Sequence, residues 1–72
     1  MLEIRKESLG YFVAYFWNKK TEFTIQIASN RNGTKGNSFY DVYKNDIPLN
    51  RETLKLNDAK SFLKKEFTLN QQ

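Results

Sequence analysis

The sequence Tyr-Phe-Val-Ala-Tyr-Phe-Trp at residues 11–17 decides the fold. It consists almost entirely of aromatic and β-branched residues, the types enriched in strands, and it is too short to span a membrane. Successive side chains of a strand point to opposite faces, so Phe12 and Phe16 share one face while Tyr11, Tyr15 and Trp17 share the other. Each face of this strand therefore carries large side chains that need a partner.

The regions on either side of this strand alternate between apolar and polar residues and predict further strands. A first strand runs from Leu2 to about Glu7, followed by a turn at residues 8–10. A compact hairpin connection at Asn18-Lys19-Lys20 leads to a strand over residues 22–29. Phe23, Ile25 and Ile27 share one face of that strand, and Glu22, Thr24 and Gln26 share the other.

The middle of the chain contains a polar loop at residues 30–37 and a strand from Ser38 to Lys44. We expect Asp41 of that strand to face water, with Phe39 and Tyr43 on its side and Tyr40 and Val42 facing inward. Proline cannot donate a hydrogen bond to a sheet ladder, so residues 47–49 belong at an edge or in an irregular segment. A short fifth strand at residues 53–56 is a further expectation.

The last third of the chain changes to helical periodicity, with Asn57 as the expected N-cap and Asp58 in the first turn. Its apolar residues form one stripe and its lysines lie toward solvent. The stripe consists of Ala59, Phe62, Leu63 and Phe67. The sequence thus predicts an α+β fold, in which an antiparallel sheet of about four strands is packed on one face by a single C-terminal helix.

The composition excludes many functions. The chain has 72 residues, with twelve Lys and Arg against eight Asp and Glu, and neither His nor Cys. Its length suits a single domain over residues 1–72. The missing residue types remove thiol nucleophiles, disulfides, and most zinc and acid/base chemistry. The charged N-terminal residues are unlike a signal peptide, so we expect a cytoplasmic location.

Catalysis and cofactor binding are not expected. The pairs Asp41 with Asp46 and Glu3 with Glu7 have no spacing that singles them out as acid/base carboxylates. The loop at residues 33–36 lacks the glycine spacing of a phosphate-binding loop. We therefore predict no catalytic residue, no cofactor and no metal site.

The positive charge is concentrated near the aromatic residues, because residues 17–40 hold four cations and one anion. An open aromatic sheet face with a basic rim is typical of proteins that bind single-stranded nucleic acid, since every base can stack and every phosphate is charged. We therefore predict a non-enzymatic nucleic-acid-binding module that favours single strands over duplex. The predicted contact residues are Tyr11, Tyr15, Trp17, Lys19, Lys20, Arg31 and Lys35.

The alternative is a protein-interaction module that uses the same aromatic face. Tyrosine and tryptophan are enriched in protein interfaces as well. The partner would then be another protein, such as the target of an inhibitor or accessory factor, or a second copy of the chain in a homodimer. Pairing through the edge of the N-terminal strand is a third route to association and is compatible with either function.

Overall fold

The computed structural model describes residues 1–28 and 38–70, which form one antiparallel sheet and one helix. The strands lie side by side in chain order, so each pairs with its neighbours in sequence. They are β1 (Leu2–Ser8), β2 (Tyr11–Phe16), β3 (Lys19–Ile27), β4 (Tyr40–Lys44) and β5 (Ile47–Pro48), and the helix is α1 (Leu56–Leu69). The α+β prediction is confirmed, with five strands in the sheet.

The turn between β1 and β2 depends on Gly10, whose φ is +73°. A Cβ atom at this position would lie 2.8 Å from Cγ2 of Ile27. The Gly10 carbonyl also accepts a hydrogen bond of 2.7 Å from the Ile27 N–H. Glycine is therefore required by both the backbone conformation and the close approach of β3.

The hairpin between β2 and β3 turns at Trp17-Asn18, one residue earlier than predicted. Both residues have positive φ, 53° and 63°, as a two-residue type I′ turn requires. Lys19 and Lys20 consequently lie in β3 instead of in the turn. The sequence did not indicate a turn at Trp17 because tryptophan rarely adopts the left-handed backbone conformation.

A bulge interrupts the pairing of β2 with β3. Val13 lies opposite Thr24 and Tyr15 opposite Lys20, so β3 has two extra residues at this point. The Thr21 hydroxyl donates a hydrogen bond of 2.9 Å to the Ala14 carbonyl and lies 3.2 Å from the Phe23 N–H, which donates to it. This side chain replaces the ladder bonds that the bulge removes.

The sheet edge formed by β5 is short and contains Pro48, as the sequence predicted. A fifth strand at residues 53–56 is not formed, since Leu54 makes only an isolated bridge to Tyr40. Strand β4 begins at Tyr40, two residues after the predicted start. The Asn50 side chain accepts a hydrogen bond of 2.8 Å from the Val42 N–H and donates one of 3.0 Å to the Asp41 carboxylate. It therefore provides a partner for a backbone N–H of β4 where β5 does not extend.

The helix begins at Leu56, and Lys55 takes the N-cap position without a side-chain hydrogen bond. The predicted Asn57 cap is wrong because the helix already includes Leu56, which packs against the core, so that Asn57 is a helical residue. Asp58 lies in the first turn as expected. At the other end, the Asn70 amide donates to the Glu66 carbonyl at 2.8 Å and its oxygen accepts from Lys44 Nζ at 2.7 Å.

The core lies between the helix and the sheet. The helix residues Ala59, Leu63 and Phe67 are buried against strands β2, β3 and β4. The sheet contributes Phe12, Ala14, Phe23, Ile25 and Val42 to the same cluster. Ile27 is 47 % exposed, contrary to the prediction, because it lies at the last position of β3, beside Gly10.

Candidate nucleic-acid interface

The sheet face opposite the helix is named the open face, because the only helix among residues 1–28 and 38–70 packs on the other side. Residues directly opposite each other on antiparallel strands point to the same face. The pairing of β1 with β2, β3 and β4 therefore assigns this face without ambiguity. The paired residues on this face are Glu3, Arg5, Ser8, Tyr11, Val13, Tyr15, Lys20, Thr24, Gln26, Asp41 and Tyr43.

Three tyrosines lie on the open face, and all are half-buried. Tyr11 and Tyr15 are four residues apart on β2, which separates their Cα atoms by about 13 Å. Tyr43 lies two strands away, opposite Thr24, which is itself opposite Val13. The tyrosines thus surround a central patch formed by Val13 and Thr24, which bears no charge. Part of each tyrosine ring remains accessible around this patch.

The central patch is buried although no helix or strand among residues 1–28 and 38–70 packs over it. Val13 is 0 % exposed and Thr24 is 8 % exposed. The neighbours of Val13 on the same face are Tyr11 and Tyr15 along the strand and Arg5 across it. These long side chains cover the valine, so the open face presents a layer of side chains held in place by the sheet.

Arg5 lies beside Tyr15 on the open face, and the residues predicted from the sequence did not include it. Its guanidinium carbon lies 4.4 Å from the centre of the Tyr15 ring, within the range of a cation–π contact. The same group donates to Asn18 Oδ1 at 2.8 Å and to Glu3 Oε2 at 3.3 Å. The alternation within β1 could not have revealed it, because placing Arg5 on the face of Tyr15 requires the register of β1 with β2.

Trp17 does not share the open face with Tyr11 and Tyr15. It is the first residue of a hairpin turn and is 70 % exposed. Its ring centre lies 5.9 Å from that of Phe16 at an angle of 76°, and Phe16 faces the helix side. The prediction that Trp17 ends the strand on the open face is therefore wrong, and the indole stands at the end of the sheet.

The predicted basic residues are distributed between both faces. Lys20 lies opposite Tyr15 on the open face, whereas Lys19 lies opposite Phe16 on the helix side. Both are exposed. Arg31 and Lys35 lie outside the described residues. Among the paired residues, the cations on the open face are Arg5 and Lys20 and the anions are Glu3 and Asp41, so these four charges balance.

The described residues provide no metal-binding cluster. Across residues 1–28 and 38–70, no three acidic side chains lie close enough to hold a metal ion, and the chain lacks His and Cys altogether. Within the same ranges, no helix has the length and apolar character needed to cross a membrane. What the open face offers chemically is stacking and hydrogen bonding.

Comparisons with protein-family models, with curated proteins and with solved structures give no match to this chain.

Proposed function

We propose that this chain binds single-stranded nucleic acid through its open face. The observation that carries the proposal is the set of three half-exposed tyrosines, Tyr11, Tyr15 and Tyr43, on a sheet face that no described element covers. Bases of a single strand can stack on such rings regardless of sequence, and each stack contributes about 1 to 3 kcal/mol. Catalysis plays no part in this function.

Arg5 adds to the proposed contact surface. Its guanidinium is already oriented by Tyr15, Asn18 and Glu3, so little side-chain entropy is lost when a ligand binds. A planar guanidinium can stack on a base as well as contact a phosphate. Tyr15 with Arg5 therefore forms the centre of the proposed site, and Lys20 opposite Tyr15 supplies a second cation.

The charge balance of the open face determines how binding responds to salt. Two cations of the open face lie beside Tyr15, with Arg5 over its ring and Lys20 opposite it, and each can contact one phosphate. With about two phosphates neutralised, affinity for a single strand should fall only about sevenfold between 50 and 200 mM salt. Stacking, and not phosphate contact, is the larger part of the proposed binding free energy.

The test is a titration of short fluorescent DNA and RNA oligonucleotides, read by anisotropy. Tyr15→Ala should weaken binding by at least about fivefold, while Tyr15→Phe should retain it because the ring remains. Tyr40→Phe is the matched control, since Tyr40 faces the helix side against Phe12, with ring centres 5.9 Å apart. Equal binding by the wild type and Tyr15→Ala, or no binding at all, would overturn the proposal.

A protein partner for the same face is the second candidate, and the balanced charge of the open face favours it. Protein interfaces are enriched in tyrosine, tryptophan and arginine and do not need a positive field. Such a partner would bind with little dependence on salt and would lose affinity with both Tyr15→Ala and Arg5→Ala. Failure of every oligonucleotide to bind would leave this candidate in place.

A further inference from the structure

The outer edge of β1 is the longest unpaired strand edge in the described part of the chain. β1 spans Leu2–Ser8 and pairs with β2 on one side only. The opposite edge of the sheet is protected, because β5 has two residues and one of them, Pro48, has no N–H group. The two edges therefore differ sharply in their capacity to add another strand.

The direction of the backbone groups along this edge follows from one hydrogen bond. The Trp17 N–H donates to the Met1 carbonyl at 3.2 Å, and Leu2 lies opposite Phe16. In an antiparallel ladder these two facts make Leu2 and Phe16 a pair without mutual hydrogen bonds. Hydrogen bonds to β2 therefore come from the odd-numbered residues of β1, and the N–H and C=O groups of Leu2, Ile4 and Lys6 point outward.

We propose that a second copy of this chain pairs antiparallel along the β1 edge, with Ile4 opposite the partner's Ile4. Only outward-pointing residues can exchange backbone hydrogen bonds across the new ladder. Of the symmetric registers compatible with this rule, those centred on Glu3, Ile4 or Arg5 form at least two hydrogen-bonded residue pairs within residues 2–6. Each places the helices of both copies on the same side of a continuous ten-stranded sheet.

Charge selects among these three registers. A register centred on Glu3 places two glutamates opposite each other, and one centred on Arg5 places two arginines opposite each other. The register centred on Ile4 places Glu3 opposite the partner's Arg5, and Arg5 opposite the partner's Glu3. These are non-hydrogen-bonded pairs, whose Cα atoms lie about 4.5 Å apart, so opposite charges there attract and like charges repel.

The shape of β1 supports the same register. Its regular pairing with β2 extends from Leu2 to Lys6, and a bulge follows between Lys6 and Ser8. A ladder centred on Ile4 uses residues 2–6 of each copy and stops at the bulge. On the helix side it covers Ile4 and Leu2, which are half-buried in the single chain and pack at the border of the core.

The first experiment measures association by sedimentation equilibrium up to about 1 mM protein. Glu3→Arg and Arg5→Glu should each weaken the dimer by at least about tenfold, because each places like charges opposite each other twice. An equimolar mixture of the two variants should restore dimerisation, since the arginines of one chain then lie opposite the glutamates of the other at both pairs. Lys64→Glu, an exposed helix position, is the control with the same change in charge as Arg5→Glu.

Three outcomes would overturn the proposal: a wild type that stays monomeric throughout, single variants that dimerise like the wild type, or a mixture that fails to associate. Circular dichroism establishes that each variant is folded. Should a charge variant not fold, Lys6→Pro replaces it, because this change removes an outward N–H and leaves the hydrogen bonds to β2 intact. Lys6→Pro should abolish the dimer and Lys6→Ala should not, and equal association of these two variants would refute the ladder.

The register itself is tested by crosslinking, for which the absence of native Cys is an advantage. Ile4→Cys places two thiols beside the two-fold axis, within reach of a short bismaleimide. Lys6→Cys places them opposite Leu2 of each partner and far from each other. Faster crosslinking of Ile4→Cys is expected, and faster crosslinking of Lys6→Cys would reject the register centred on Ile4.

Discussion

Val13 and Val42 are both 0 % exposed, yet they lie on opposite faces of the sheet and are buried in different ways. Val42 belongs to the core cluster with Leu63 of the helix. Val13 lies on the open face, where its neighbours are Arg5 and two tyrosines. In the part of the chain that the structure describes, one face is thus covered by a helix, whereas the other is covered by side chains of the sheet itself, which a ligand can displace.

Weakening the contact between the helix and the sheet should cause the largest loss of stability. Leu63→Ala deletes a fully buried side chain at the centre of the helix contact, and we expect a loss of about 2 to 5 kcal/mol in the free energy of unfolding. At this size the variant is close to unfolding. Urea denaturation followed by circular dichroism measures the loss. The neighbouring exposed Lys64→Ala should change stability by less than about 0.5 kcal/mol, and a similar small change for Leu63→Ala would contradict the assigned core.

The two valines provide a matched test of the difference between the faces. Val42→Ala should cost about 2 kcal/mol, because the layers around it cannot collapse into the cavity. Val13→Ala should cost about 1 kcal/mol, because Arg5 and the tyrosines can relax into the space. Both values come from denaturation curves measured under the same conditions. Equal losses would mean that the open face is as rigidly packed as the core.

Substitution of Trp17, in the turn at the end of the sheet, should have the smallest effect on stability. Trp17 and Asn45 each begin a two-residue turn with φ of 53°. Trp17→Asn relieves left-handed strain of about 1 kcal/mol but loses a ring contact with Phe16 of similar size, so we expect a change below about 0.5 kcal/mol. Asn45→Trp should destabilise by about 1 kcal/mol. A large loss with Trp17→Asn would show that the indole contributes more to folding than its exposure indicates.

The architecture could be predicted from the sequence because the alternation of apolar and polar residues in strands and the helical periodicity near the C-terminus are strong signals. It assigned Phe12 to the core and Tyr11 and Tyr15 to the other face, and it placed Pro48 at an edge. These predictions depend on which side chains must leave water, which is determined by local pattern.

What the sequence did not reveal depends on contacts between strands. The turn at Trp17 breaks the usual residue preferences, and the bulge at Thr21 relies on a hydroxyl that reaches the Ala14 carbonyl. The position of Arg5 over Tyr15 requires the register of β1 with β2. Since the three predicted aromatic contacts were assumed to share one strand, Trp17 was placed on the wrong surface.

The order of the strands has a consequence for how the chain folds. Every strand pairs with its sequence neighbour, and two-residue turns close the hairpins at Trp17-Asn18 and Asn45-Asp46. Little loop entropy opposes these hairpins, whereas pairing β3 with β4 must close the longer connection over residues 28–39. We therefore expect rapid formation of the β1-β2-β3 unit, with the β4 pairing and the docking of the helix as the later, rate-limiting events.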